Sequence, residues 1–123
     1  MKATAPENIV ISEKFGKSLK LDFYDSEFSL DGWGNVDNYA KLSDSSFVFM
    51  ECEKGQKHPN TNVLKLWPYL EKNEQLKIFL IHYIFPDNNS PQNRIRLCHF
   101  LGKKLEKIFP DRFRYYHIYG SIL

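Results

Sequence analysis

The nine residues from Lys77 to Phe85 (KIFLIHYIF) set the tightest limit on what this chain can fold into. They are almost continuously apolar and rich in β-branched and aromatic side chains. A strand of that kind has no polar side to turn to water, so both of its faces must be covered. The flanking sequence supplies the cover. Asn60 or Thr61 can start a helix that carries Val63, Leu64, Leu66, Trp67 and Leu70, with Pro68 expected to kink it or split it in two. Ser90-Pro91 reads as the start of a second helix, and Ile95, Cys98, Leu101, Leu105 and Ile108 repeat at helical spacing as far as Pro110. Arg112 to Tyr119 reads as a closing strand. Upstream, Ser18 to Tyr24 alternates like a half-buried strand. Val36 to Leu42 and Ser46 to Glu53 flank the polar connection Ser43-Asp44-Ser45, the pattern of a β-hairpin. The predicted fold is α/β, a small mixed sheet made of a hairpin and βαβ crossings, flanked by helices in one domain over residues 1–123.

Composition narrows the class. The formal charge is only +2, so a nucleic-acid surface would have to come from local clustering of cations. Cys52 and Cys98 do not form a CxxC pair, which gives no support to a zinc ribbon or a redox motif. The N-terminal residues lack the apolar core of a signal peptide, and no apolar run reaches membrane-spanning length. The expectation is a cytoplasmic protein that does not enter a membrane.

Side-chain parity then isolates an unusual group of acids. Phe47, Phe49, Glu51 and Glu53 share one face of their strand, while Val48, Met50, Cys52 and Lys54 share the other. Two carboxylates therefore continue the line of two core phenylalanines, where they repel each other and resist desolvation. With Ser43 to Ser45 as the loop, Leu42 pairs with Ser46 and Asp37 falls opposite Glu51; a two-residue shift would place it opposite Glu53. Asp37, Glu51 and Glu53 are thus the predicted ligands of a hard divalent cation, Mg²⁺ or Mn²⁺.

An Asp before a hairpin and Glu51-x-Glu53 at its far end, followed by a helix and another strand, resemble the PD-(D/E)XK nuclease superfamily. The resemblance runs in element order from Ser18 to Phe85, with VDNYAKLSDSSFVFMECEKG as its motif region. It implies a restriction-endonuclease-like core and metal-dependent phosphodiester hydrolysis of nucleic acid, with DNA the expected substrate and a homodimer one route to cutting two strands. Three departures stand out. Val36 precedes Asp37 where the family has Pro, Glu53 takes the place of the motif lysine, and no opening helix is evident. The resemblance assigns metal binding to Asp37 and Glu51, positioning or deprotonation of water to Glu53, and the missing positive charge to Lys65. The alternative is a non-catalytic interaction or nucleic-acid-binding module on the same fold.

Other residues have plainer readings. Asn62 and Lys65 lie on one helical face and are the next candidates for the site. His58 sits in a polar loop, and His82 in the apolar strand reads as a satisfied core histidine. Arg94, Arg96, Lys103, Lys104, Lys107, Arg112 and Arg114 gather near Tyr115 and Tyr116 as a possible phosphate-contacting surface.

Overall fold

The apolar stretch becomes an inner strand of a four-stranded sheet in a computed structural model that describes residues 4–120. In chain order the elements are α1 (Pro6–Leu19), β1 (Phe28–Ser29), β2 (Asn35–Val36), β3 (Asn38–Ser43), β4 (Ser46–Glu53), α2 (Thr61–Leu64), α3 (Leu66–Lys72), β5 (Lys77–Ile84), α4 (Gln92–Ile108) and β6 (Phe113–Tyr119). The sheet runs β3-β4-β5-β6; β3 is antiparallel to β4, and the other pairings are parallel. The pair β1–β2 forms a separate two-stranded ribbon. The architecture is therefore α/β with a mixed sheet. No helix among the described residues is long and apolar enough to cross a membrane.

Parity holds through β4. Phe47 and Phe49 enter the larger core with Leu30, Val63, Leu66 and Leu80, beneath α2, α3 and α4. Val48, Met50 and Cys52 enter the smaller core on the opposite face with Ile11, Ala40 and Ile81. Pro68 is accommodated by two short helices, α2 and α3, that meet at Lys65.

Four expectations need correction. Ser18 and Leu19 end α1 and do not begin a strand, and of the stretch to Tyr24 only Phe23 bridges to the sheet, at Ala40. Ile11, Phe15 and Leu19 recur at helical spacing, and that period prevails until Lys20, at φ 56°, closes the helix in the left-handed region. The chain therefore does have an opening helix. Second, the hairpin turns more tightly than expected, pairing Ser43 with Ser46, and an irregularity between Lys41 and Ser43 restores the expected register by Asn38↔Met50. Third, Ser90 does not cap α4; Pro91 occupies the cap position without a side-chain bond, while an Asn88 side chain takes the Ser90 N–H. Finally, the buried stripe of α4 is Ile95, Cys98, Gly102 and Leu105, and Ile108 is exposed.

Gly102 is needed for that packing. A Cβ there would lie 2.2 Å from Cγ of the Tyr115 ring, and Tyr115 is buried. Its hydroxyl is held by His82 and His117, so the ring cannot easily yield. Gly102→Ala is expected to destabilise the fold by about 1–3 kcal/mol despite alanine's better helix propensity. Urea unfolding measures this, and a stability equal to that of the parent would show that α4 can move away from β6.

Candidate active site at the open end of the hairpin

Asp37 sits between β2 and β3, one position beyond the last ladder pair Asn38↔Met50, and so beside Glu51. It is joined to β4 by reciprocal bonds. Its backbone N–H donates to Glu51 Oε1 at 2.8 Å, and the Cys52 N–H donates to Asp37 Oδ2 at 3.0 Å. The side chain of Thr4 donates to the Asp37 carbonyl at 2.7 Å, fixing the same residue from the N-terminal side.

Glu51 is only 2% exposed, and its second oxygen accepts from Lys65 Nζ at 3.2 Å. Lys65 also donates to the carbonyl of Asn35 and, at 3.0 Å, to Asn62 Oδ1. The α2–α3 junction thus brings a lysine to the acids although position 53 lacks one. Burial pushes the Glu51 carboxyl well above its ordinary range; Asp37 adds to the rise, and Lys65 and the Asp37 N–H oppose it. Asp37, which is half-buried, is raised chiefly by burial, with the Cys52 N–H and Lys65 pulling the other way. Both acids therefore lie where a nearby cation would favour ionisation.

Glu53 is fully buried and bound differently. Its Oε1 accepts from the Asn62 amide and lies 2.8 Å from His82 Nε2, while its Oε2 has no hydrogen-bond partner among the described residues. Beyond it, His82 Nδ1 lies 2.8 Å from the Tyr115 hydroxyl, which in turn lies 2.6 Å from His117 Nδ1. Register explains this path, because the parallel ladders place Glu51, His82 and His117 side by side across β4, β5 and β6. A polar chain therefore crosses the sheet inside the larger core, from Lys65 through Asn62, Glu53, His82 and Tyr115 to His117.

Burial, reinforced by His82 and His99, pulls His117 down to about 4. The unfolded chain then binds a proton at higher pH than the folded one. His117 is thus expected to leave stability full above about pH 6.5 and to lower it as pH falls toward about 4. The raised Asp37 and Glu51 act with the opposite sign, so the difference between the parent and His117→Gln isolates this contribution. Thermal melts from pH 4 to 7 should show a shallower acid-side loss in the variant; parallel curves would remove the assignment.

The sequence-predicted residues Asp37, Glu51, Asn62 and Lys65 meet at one place, and Glu53 joins them through Asn62. Lys54 points to the opposite face and pairs with Glu7 of α1 at 2.9 Å. His58 faces Arg94, away from the acids. The basic cluster is divided. Arg112 is structural, donating to the carbonyls of Leu70, Asn73 and Leu76; Arg94 bonds the Lys57 carbonyl; Tyr115 is buried; and Tyr116 lies on the other sheet face. Tyr115 and His117, at the far end of the polar chain, are not among the site residues the sequence predicts, and only parallel-strand register connects them to it.

Among the described residues, no three His, Cys, Asp or Glu side chains converge as a metal-ligand group. The donor set of Asp37 and Glu51 does suit Mg²⁺ or Mn²⁺. Both acids present hard oxygens, burial and neighbouring carboxylates favour a countercharge, and such ions commonly use one or two carboxylates with water or substrate oxygens completing the shell. Comparison of the chain with protein-family models, curated proteins and solved structures finds no match.

Proposed function

We propose that this chain is a metal-dependent phosphodiesterase of the PD-(D/E)XK type that acts on nucleic acid, with DNA the expected substrate. The observation that carries the reading is the meeting of Asp37, Glu51 and Lys65 at the end of one hairpin, with Lys65 Nζ 3.2 Å from Glu51. The order of an opening helix, a hairpin, a helical segment and a parallel strand supports a restriction-endonuclease-like core. Asp37 and Glu51 would hold the ion, which when bound polarises a phosphate oxygen and acidifies a coordinated water.

The remaining roles fall to the chain's own atoms. Lys65, oriented by Asn62 Oδ1 and the Asn35 carbonyl, offsets charge developing on the phosphate. It takes the place of the lysine absent at position 53. Glu53 Oε2, buried and with no hydrogen-bond partner among the described residues, keeps an acceptor for a proton drawn from a water admitted to the site. Through Oε1 it is braced by Asn62 and His82.

The test is to incubate the protein with single-stranded and supercoiled DNA, with Mg²⁺, with Mn²⁺ and with EDTA. Cleavage with metal alone is expected, and Lys65→Met should slow it by roughly 10²-fold. Absence of cleavage under every metal condition would leave the same fold as a non-catalytic nucleic-acid-binding or interaction module.

A further inference from the structure

A second feature lies outside the acidic site, where α4 passes the edge strand β6. The two elements enclose an open groove of about 500 Å³. Arg96, Lys103, Lys104 and Lys107 line it, so it gathers four cations on a chain whose net charge is only +2. Lys103 is shared with Glu106 at 3.3 Å, but Arg96, Lys104 and Lys107 have no ion-pair partner among the described residues. Two large rings, Phe100 and Tyr119, line the same groove and are 66% and 62% exposed.

The arrangement is periodic. Arg96, Phe100, Lys103 and Lys107 follow one another at steps of four, three and four along the 17-residue helix, which aligns them on one face over about 16 Å. The buried stripe through Cys98, Gly102 and Leu105 faces the sheet, so this second stripe runs beside it at the β6 edge. Cations in a line suit a phosphate backbone, and exposed rings among them suit unstacked bases. A duplex keeps its bases stacked inside and offers those rings nothing to stack on.

We infer that the α4–β6 groove binds single-stranded nucleic acid, with Arg96, Lys104 and Lys107 on phosphates and Phe100 and Tyr119 against bases. The inference does not require the acidic site to cut. His117, which lines the groove and ends the polar chain from Glu53, lies two strands from Glu51 in register, about 10 Å across the sheet.

The experiment is fluorescence anisotropy of a labelled oligothymidylate and of a duplex of equal length, with the full chain in EDTA so that no cleavage intervenes. Preference for the single strand is expected. Lys104→Glu with Lys107→Glu should weaken binding at least about tenfold and flatten the salt dependence by roughly 1.4 logarithmic units per decade. Phe100→Ala and Tyr119→Ala should each weaken it by roughly 5- to 150-fold. Lys14→Glu with Lys17→Glu on α1 makes the same change in net charge on exposed residues away from the groove and should keep the parent affinity. Equal loss in both charge pairs, undiminished affinity in the ring variants, or equal affinity for duplex would overturn the inference. So would sedimentation showing a dimer that Phe100→Ala and Tyr119→Ala convert to monomer while the oligonucleotide goes unbound, since the groove would then seat a second copy.

Discussion

Asp37→Ala and Glu51→Gln are each expected to lower metal-dependent cleavage by on the order of 10³-fold, a loss of about 4 kcal/mol in transition-state stabilisation. Glu51→Gln should not weaken the fold, whereas Asp37→Ala also removes the acceptor of the Cys52 N–H and should cost about 1–3 kcal/mol. Burial raises both carboxyls, with repulsion from Asp37 adding to the rise at Glu51 and repulsion from Glu53 and Glu27 at Asp37, so the folded chain holds their protons more tightly than the unfolded chain does. Their contribution to stability therefore falls as pH rises from the ordinary carboxylate range through the raised values. A neutral amide at position 51 removes that penalty near neutral pH, and Lys65 keeps the Asn35 carbonyl and Asn62 as partners. Cleavage rates and thermal melts on the same preparations should show activity lost in both variants and melting temperature kept or raised in Glu51→Gln. A large fall in melting temperature would mean that Glu51 is a structural partner of Lys65 first, and the metal role would lose its physical basis.

The second large effect belongs to His82. Its two ring nitrogens contact Glu53 and the Tyr115 hydroxyl, each at 2.8 Å, and all three side chains are buried. Leucine would fill most of the space and meet neither partner. Among the described residues Glu53 would keep only its Asn62 contact, with Oε2 already unpartnered there. His82→Leu is therefore expected to cost about 3–5 kcal/mol, because a buried carboxyl loses its principal partner. For a chain of this size that corresponds to a melting temperature lower by roughly 10–20 °C. His82→Gln, which can still meet one of the two groups, should recover part of the loss. Denaturant unfolding of both variants measures this; equal stability of leucine, glutamine and histidine at this position would show that the polar chain across the sheet contributes nothing to the fold.

Much of this was legible from side-chain alternation. Phe47 and Phe49 point into the core, so Glu51 and Glu53 must follow them, and Asp37 is reached by counting back around the hairpin. The turn itself is one residue tighter than counting predicts. The irregularity between Lys41 and Ser43 absorbs that residue, so the pairing near Asp37 stays where counting put it. Lys65 was legible as a charge on the helix after the acids, on the face it shares with Asn62. The opening helix was obscured because Leu19, Leu21 and Phe23 alternate like a strand where the helical series of Ile11, Phe15 and Leu19 ends. The chain from Glu53 to His117 could not be read at all. It depends on how β4, β5 and β6 align as parallel neighbours, and no local pattern encodes that alignment. Likewise, the late cations formed one cluster in sequence, but the fold turns Arg112 inward onto carbonyls and leaves Arg96, Lys104 and Lys107 at the groove.

Asp37 and Glu51 are proposed to hold a divalent cation between them. Electron paramagnetic resonance tests this directly, because the sharp signal of free Mn²⁺ broadens and falls when the ion binds. Titrated into the parent protein near neutral pH, Mn²⁺ should lose signal saturably, and Mg²⁺ should restore it by competition. Asp37→Ala combined with Glu51→Gln should leave the free-ion signal intact while the thermal melt shows a folded chain. Binding of equal strength in that double variant, or none in the parent, would contradict the account.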